Sequence, residues 1–221
     1  MRINSAADGP ASLVISEQLR SRIGELRQKI DNTAITIDKY NTADGALMSL
    51  RSVAADIRAD LVAASNGANE PAQQAAYQNS VTAAVSSYND LIKGATFGST
   101  HLVDGSAGSI AKAPSLEGLD ASTPEAARQS LIKLEDALSQ IDVVSSNVGA
   151  TVRYDLEAQR SSMLIAEQNL TAAEATVRGA DYLREISVFA GLKAQLLASA
   201  YSTRAHNGLT AEMTKALLYL P

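Results

Sequence analysis

The sequence predicts a mainly α protein: a rod-shaped antiparallel bundle of long coiled-coil-like helices from both chain ends, with a small irregular or β-hairpin middle segment. Three observations carry this. Of 221 residues, 46% are hydrophobic and only 4% aromatic, with no Trp. Alanine alone accounts for 39 positions, a composition that suits helices in close contact through small side chains and disfavours a β-sandwich. Two long stretches, one near each chain end, repeat apolar residues at steps of three and four over about six heptads, which is the pattern of a helical seam.

The first stripe is Leu19, Ile23, Leu26, Ile30, Ala34, Ile37, Tyr40, Ala43, Leu47, Leu50, Ala54, Ile57 and Leu61. The consecutive three-residue steps at Ile37–Tyr40–Ala43 read as a stammer, a local overwinding. At a rise of about 1.5 Å per residue the helix is roughly 65–70 Å long. Ser65-Asn66-Gly67 should end it with a left-handed C-cap. Pro71 then fits the first turn of a second helix, striped by Tyr77, Val81, Ala84, Tyr88 and Ile92 up to Gly94. The short link folds it back antiparallel on the first.

Residues 1–94 therefore form the N-terminal half of the rod, and residues 95–123 a variable segment. Gly98, Gly105, Gly108, Pro114, Gly118 and Pro124 punctuate it. His101-Leu102-Val103 is placed to make a hairpin strand before Asp104-Gly105. Thr123-Pro124-Glu125 restarts a helix, with Thr as cap, Pro at the first position and an acid in the first turn. Its stripe runs Leu131, Leu134, Leu138, Ile141, Ser145, Val148, Val152, Leu156, Gln159, Met163, Ala166, Leu170, Ala173 and Val177, with the period kept through Gly149. Residues 124–180 are the long C-terminal helix of the rod. Gly179 marks a loosening, and residues 181–221 form a terminal helix, with His206-Asn207-Gly208 resembling a helix end.

Several chemistries are excluded. With no Cys there is no thiolate, disulfide or Cys-ligated metal. His101 and His206 are the only histidines and lie far apart, so a His-built metal site is not expected. Gly105-Ser106-Ala107-Gly108-Ser109 lacks the Lys-Ser/Thr ending of a phosphate loop, and acid pairs such as Glu135-Asp136 fall on a solvated face. No catalytic residue, metal or cofactor is expected. The net charge of −5 is mild and mixed, giving no case for nucleic acid or an anionic membrane surface. No apolar run reaches the roughly 18–20 residues of a membrane span, and the first ten residues do not form a secretory signal.

The ordered motifs resemble those of bacterial flagellin. Arg2-Ile3-Asn4-Ser5-Ala6-Ala7-Asp8 is similar to the RINSAADD-type signature, and Leu13-x-Ile15-Ser16-Glu17 to its LAISE continuation. Thr42-Ala43-Asp44-Gly45-Ala46-Leu47 resembles TAEGAL, Ser65-Asn66-Gly67 the ANG turn, and Phe97-Gly98 with Leu102, Asp104, Gly105 and Ser106 the FNG…LLDGS stretch. Downstream, Val148-Gly149-Ala150 and Asn169 to Tyr182 follow the LGA and NLTAAES-RI-D-DY stretches in order. The likeness covers most of residues 2–110 and 125–190.

That resemblance implies a subunit of the extracellular flagellar filament. Such a subunit binds copies of itself through its terminal helices and is exported through the flagellar channel. Its further implied partners are an export chaperone on the C-terminal helix and hook-associated proteins. Residues implied in these contacts are Arg2, Ile3, Asn4, Leu13, Ile15, Ile186, Phe189, Leu196, Leu217, Leu218 and Leu220. The alternatives are a hook–filament junction protein, faintly suggested by Asp8-Gly9-Pro10-Ala11-Ser12, and a flagellin-like cell-surface binding protein. The chain departs from the family in two places. It opens at the RINSAAD motif, which implies an N-terminal truncation of the inner-tube coiled coil and a monomer or small oligomer in solution. Its ending also differs, with Ala205-His206-Asn207-Gly208 where the family is glutamine-rich. Finally, the epitope that a vertebrate innate receptor reads in flagellins aligns with Asp56, Asp60 and Ser80, which implies that this epitope is lost.

Overall fold

The computed structural model describes residues 10–218, without the side chains of residues 10, 11, 179–185, 205 and 207–218. The element order is α1 (Pro10–Ala64), α2 (Pro71–Gly94), β1 (Thr96–Phe97), β2 (Thr100–His101), α3 (Pro124–Ala150), a π-helical turn (Thr151–Leu156) and α4 (Glu157–Leu218). The chain divides into two compact units: residues 28–164, and residues 1–27 with 165–221.

In the unit formed by residues 28–164, α1, α2 and α3 share one core. The stripe positions Ala43, Leu47, Leu50, Ala54, Ile57 and Leu61 of α1 are fully buried, as are Val81 and Tyr88 of α2 and Leu134 of α3. Burying apolar surface at these positions outweighs the indifferent helix propensity of the Val, Ile and Tyr residues among them. α3 runs antiparallel to α1, because Arg58 pairs with Glu135, Arg51 with Asp142 at 2.7 Å, and Asp44 accepts from Ser145 at 2.6 Å. α2 runs antiparallel to α1 as well, with Ser80 donating to Asp60 and Gln74 reaching Ala64. One seam position differs from the sequence reading: Thr33 is buried and Ala34 only half-buried. Thr33 tolerates this because its hydroxyl donates to the Lys29 carbonyl at 2.8 Å.

α1 stops where expected, but by a different device. Among the described residues, positive φ occurs only at Gly98, Gly105, Gly108 and Gly118, so neither Asn66 nor Gly67 forms a left-handed cap. Side chains from elsewhere take the last carbonyls of α1 instead. Asn69 donates to Ala63 at 2.8 Å and Gln74 to Ala64 at 3.0 Å, while Arg128 donates to Ser65, one residue past the helix, at 3.1 Å. With those acceptors satisfied in trans, the local left-handed turn is not needed.

The middle segment is packed rather than loose. Leu102, Val103, Ala113, Leu116 and Ala121 are buried in the same core as the helices. The hairpin lies one step earlier than the sequence suggested, pairing Thr96 with His101 and Phe97 with Thr100. Its two-residue turn is Gly98-Ser99, and Gly98, at φ 61, supplies the positive φ that such a turn requires at its first position. His101 is thus in the second strand, whereas Leu102 and Val103 leave it to enter the core. The buried end of the segment is held by amides and hydroxyls. Gln74 donates to the Ala121 carbonyl, Gln78 accepts from the Ala121 N–H, and Ser130 bonds both backbone groups of Asp120, at 2.7 and 2.9 Å. Thr123 caps α3 as expected, accepting from the Ala126 N–H at 3.1 Å.

Gln74 joins three elements from a position 7% exposed. A Gln74→Leu variant keeps the volume but strips the partners from the Ala64 and Ala121 carbonyls. It is expected to lose about 1–3 kcal/mol in urea denaturation; an unchanged midpoint would show that water replaces the amide.

The C-terminal stripe is not the unbroken period anticipated. The return helix, α3 continued by α4, widens into the π turn at Thr151–Leu156, where Val148, Val152 and Leu156 follow one another at four-residue steps. In contrast, no loosening occurs at Gly179, and the backbone remains helical through Asn207 and Gly208 to Leu218. A single glycine costs a helix only about 1 kcal/mol, which a 62-residue helix rich in Ala and Leu absorbs.

Candidate self-association surface

The second unit is built from the start of α1 and most of α4. Seam residues Ile23 and Ser16 are buried, and Leu13, Leu19 and Leu26 half-buried, facing Ala166, Leu170 and Val177 on α4's half-buried side. The two helices run antiparallel, since Arg27 pairs with Glu167 at 2.7 Å and Arg20 with Glu174 at 3.3 Å. Ser16 replaces an apolar residue at a fully buried position. It is kept there by polar neighbours: Arg178 donates to its hydroxyl at 3.2 Å, and Arg178 also pairs with Glu174 at 2.8 Å. The shared carboxylate and hydroxyl fix where the two helices meet.

Beyond this contact, α4 has no cover among the described residues. Residues 186–203 contain a single charged residue, Lys193. Within them Phe189 is 67% exposed and Leu196 70%, and Ile186, Val188, Leu192, Leu197 and Tyr201 are all about half exposed or more. A helix apolar on nearly every side is ordinarily a buried helix. Such a surface exceeds the scattered apolar residues that a monomer tolerates. No described helix is long and apolar enough to cross a membrane.

Of the residues anticipated in this contact, Ile186, Phe189 and Leu196 lie together on that exposed stretch. Ile15 is 47% exposed and Leu13 half-buried near the start of α1. Leu217 and Leu218 lie in α4, but their side chains are outside the described residues, as are Arg2, Ile3, Asn4 and Leu220. Sequence reading passed over Val188, Leu192, Leu197 and Tyr201, because a helix apolar on several sides does not produce a single stripe. Asp56 and Asp60 sit on α1, and Asp60 accepts from Ser80 of α2 at 2.6 Å. Among the described residues no cluster of three or more His, Asp or Glu side chains is placed to hold a metal.

The molecule is a seam-paired, long-helix protein with an apolar terminal helix that is uncovered among the described residues. Comparison with known proteins specifies the class. Residues 1–108 match the bacterial flagellin N-terminal helical region. The chain is 33% identical over 106 residues to a flagellin of Clostridium tyrobutyricum, covering 48% of this chain and 28% of that protein. It is 28% identical over 210 residues to a flagellin of Halalkalibacterium halodurans, covering 86% and 77%. It is 25% identical over 235 residues to a flagellar filament core protein of Brachyspira hyodysenteriae, covering 90% and 81%. The chain is thus similar to bacterial flagellins, over residues 1–108 to their N-terminal helical region and more distantly along most of its length. The N-terminal matches span only about a quarter of the relative's length, as the 28% figure shows.

Proposed function

We propose that this chain is a structural subunit of the bacterial flagellar filament, located outside the cell and exported through the flagellum's own channel. The observation that carries the reading is the uncovered apolar stretch of α4 from Ile186 to Tyr201. A second copy of the chain is the occupant it fits, because like helices meeting along such a face bury apolar area on both sides. The same face suits an export chaperone before assembly, which would shield it from water until delivery. Hook-associated proteins are the remaining partners, at the ends of the filament. The reading assigns no enzymatic role. Shearing filaments from the source cells and identifying their proteins by mass spectrometry tests it. This chain should be a stoichiometric filament component, and its absence from sheared filaments would overturn the proposal.

Asp56, Asp60 and Ser80 bear on recognition by the host. An acid at Asp60, tied to the Ser80 hydroxyl, presents negative charge where the resemblance implies an apolar contact. Receptor-reporter cells are expected to stay silent at nanomolar protein, and a full response would refute the loss of this epitope.

A further inference from the structure

Within residues 28–164 the buried seam of α1 steps by alternating threes and fours: Ile30, Thr33, Ile37, Tyr40, then Ala43, Leu47, Leu50, Ala54, Ile57 and Leu61. The alternation fails once, at the two threes of Ile37–Tyr40–Ala43. The seam of the return helix runs Leu131, Leu134, Leu138, Ile141, Ser145, Val148, Val152, Leu156. It also fails once, with the opposite sign, at the two fours of Val148–Val152–Leu156. An inserted three overwinds a helical seam and an inserted four unwinds it.

The antiparallel pairs Arg51–Asp142 and Asp44–Ser145 bring these two faults opposite each other. Continuing these registers towards the N-terminus, residues 37–43 face residues 146–152 by the Asp44–Ser145 pair and 150–156 by the Arg51–Asp142 pair. The π turn, Thr151–Leu156, lies over the four-residue fault. A π turn closes its hydrogen bonds one residue wider than an α turn, and so accommodates one extra residue.

We infer that the overwound stretch 37–43 and the π turn form a matched joint, the place where this helical unit opens first. Packing and polar contacts agree. Along the seam half-buried Leu131, Leu138 and Ser145 alternate with buried Leu134, Ile141 and Val148, and this alternation ends at Val152 and Leu156, which are half-buried in succession. Among the described residues, the side-chain hydrogen bond from α1 between Arg27 and Arg51 to the opposing helix is Ser145 to Asp44, and no ion pair joins the two there. Elements with less buried apolar contact and fewer cross-links open at lower free energy than the rest of a domain. The joint therefore lets the helices flex or rewind locally while the heptad-spaced ion pairs hold. It rests on seam geometry alone and stands whether or not the chain polymerises.

Hydrogen exchange read by mass spectrometry on the full chain tests this. Amides of residues 149–157 and 36–44 should exchange at least about tenfold faster than those of 134–141 and 50–57. Uniform exchange along the seam overturns the joint. Deleting the exposed Asp155 removes the extra residue, and should bring residues 149–157 to the protection of their neighbours without lowering the melting temperature. A deletion variant that unfolds, or that exchanges as before, overturns the assignment of the joint to that residue.

Discussion

A chain carrying both Phe189→Asp and Leu196→Asp is expected to stay monomeric at concentrations where the unsubstituted chain self-associates. Both side chains are more than two-thirds exposed on α4, so the substitutions remove no buried contact among the described residues and leave the melting temperature nearly unchanged. In the assembled state the same carboxylates would enter an apolar interface without partners. Burying an unpaired charge costs several kcal/mol, and each 1.4 kcal/mol is a factor of about ten. Association should therefore weaken by at least about 100-fold in sedimentation velocity. Equal association of the two proteins would place the self-contact elsewhere. If the unsubstituted chain stays monomeric at every concentration, α4 from Ile186 onward is not by itself an adhesive face.

The second large effect concerns Tyr88. It is the largest fully buried side chain among the described residues, and its hydroxyl donates to the Pro114 carbonyl at 2.9 Å. It thus clamps α2 onto the middle segment. Tyr88→Ala should cost about 3–5 kcal/mol, the usual loss for emptying an aromatic site, whereas Tyr88→Phe should cost about 1 kcal/mol for the hydrogen bond. Burial also pushes the Tyr88 hydroxyl up to about 12 from its ordinary 10.0. The folded state favours the neutral phenol, so this contribution is full below pH 10 and is lost as pH rises through about 12. The unsubstituted protein should lose stability across that window more steeply than Tyr88→Phe. Parallel alkaline profiles would mean that the phenol is reached by water.

These two sites show what was legible in the sequence. The long seams were readable because burial on one side of a helix leaves a period, and every residue of the first stripe is buried or half-buried. The capping of α3 was readable because Thr123, Pro124 and Glu125 act within one turn. The packing of residues 95–123 was not. Leu102, Val103, Leu116 and Ala121 enter the core from irregular backbone, where no period marks them, and Gln74 earns its role only through elements 10 and 47 residues away. The π turn was written into the steps at Val148, Val152 and Leu156, but its meaning depends on the opposing fault in α1. Of the association surface, Ile186, Phe189 and Leu196 were found through family resemblance. The remaining apolar residues of α4 became apparent only when the helix proved uncovered.

Immunogold electron microscopy of the source cells, with an antibody raised against this chain, tests the central claim most directly. A filament subunit is expected to give gold along the whole length of the flagellar filament. Label confined to a spot beside the hook, or lying on the cell surface away from flagella, would contradict it.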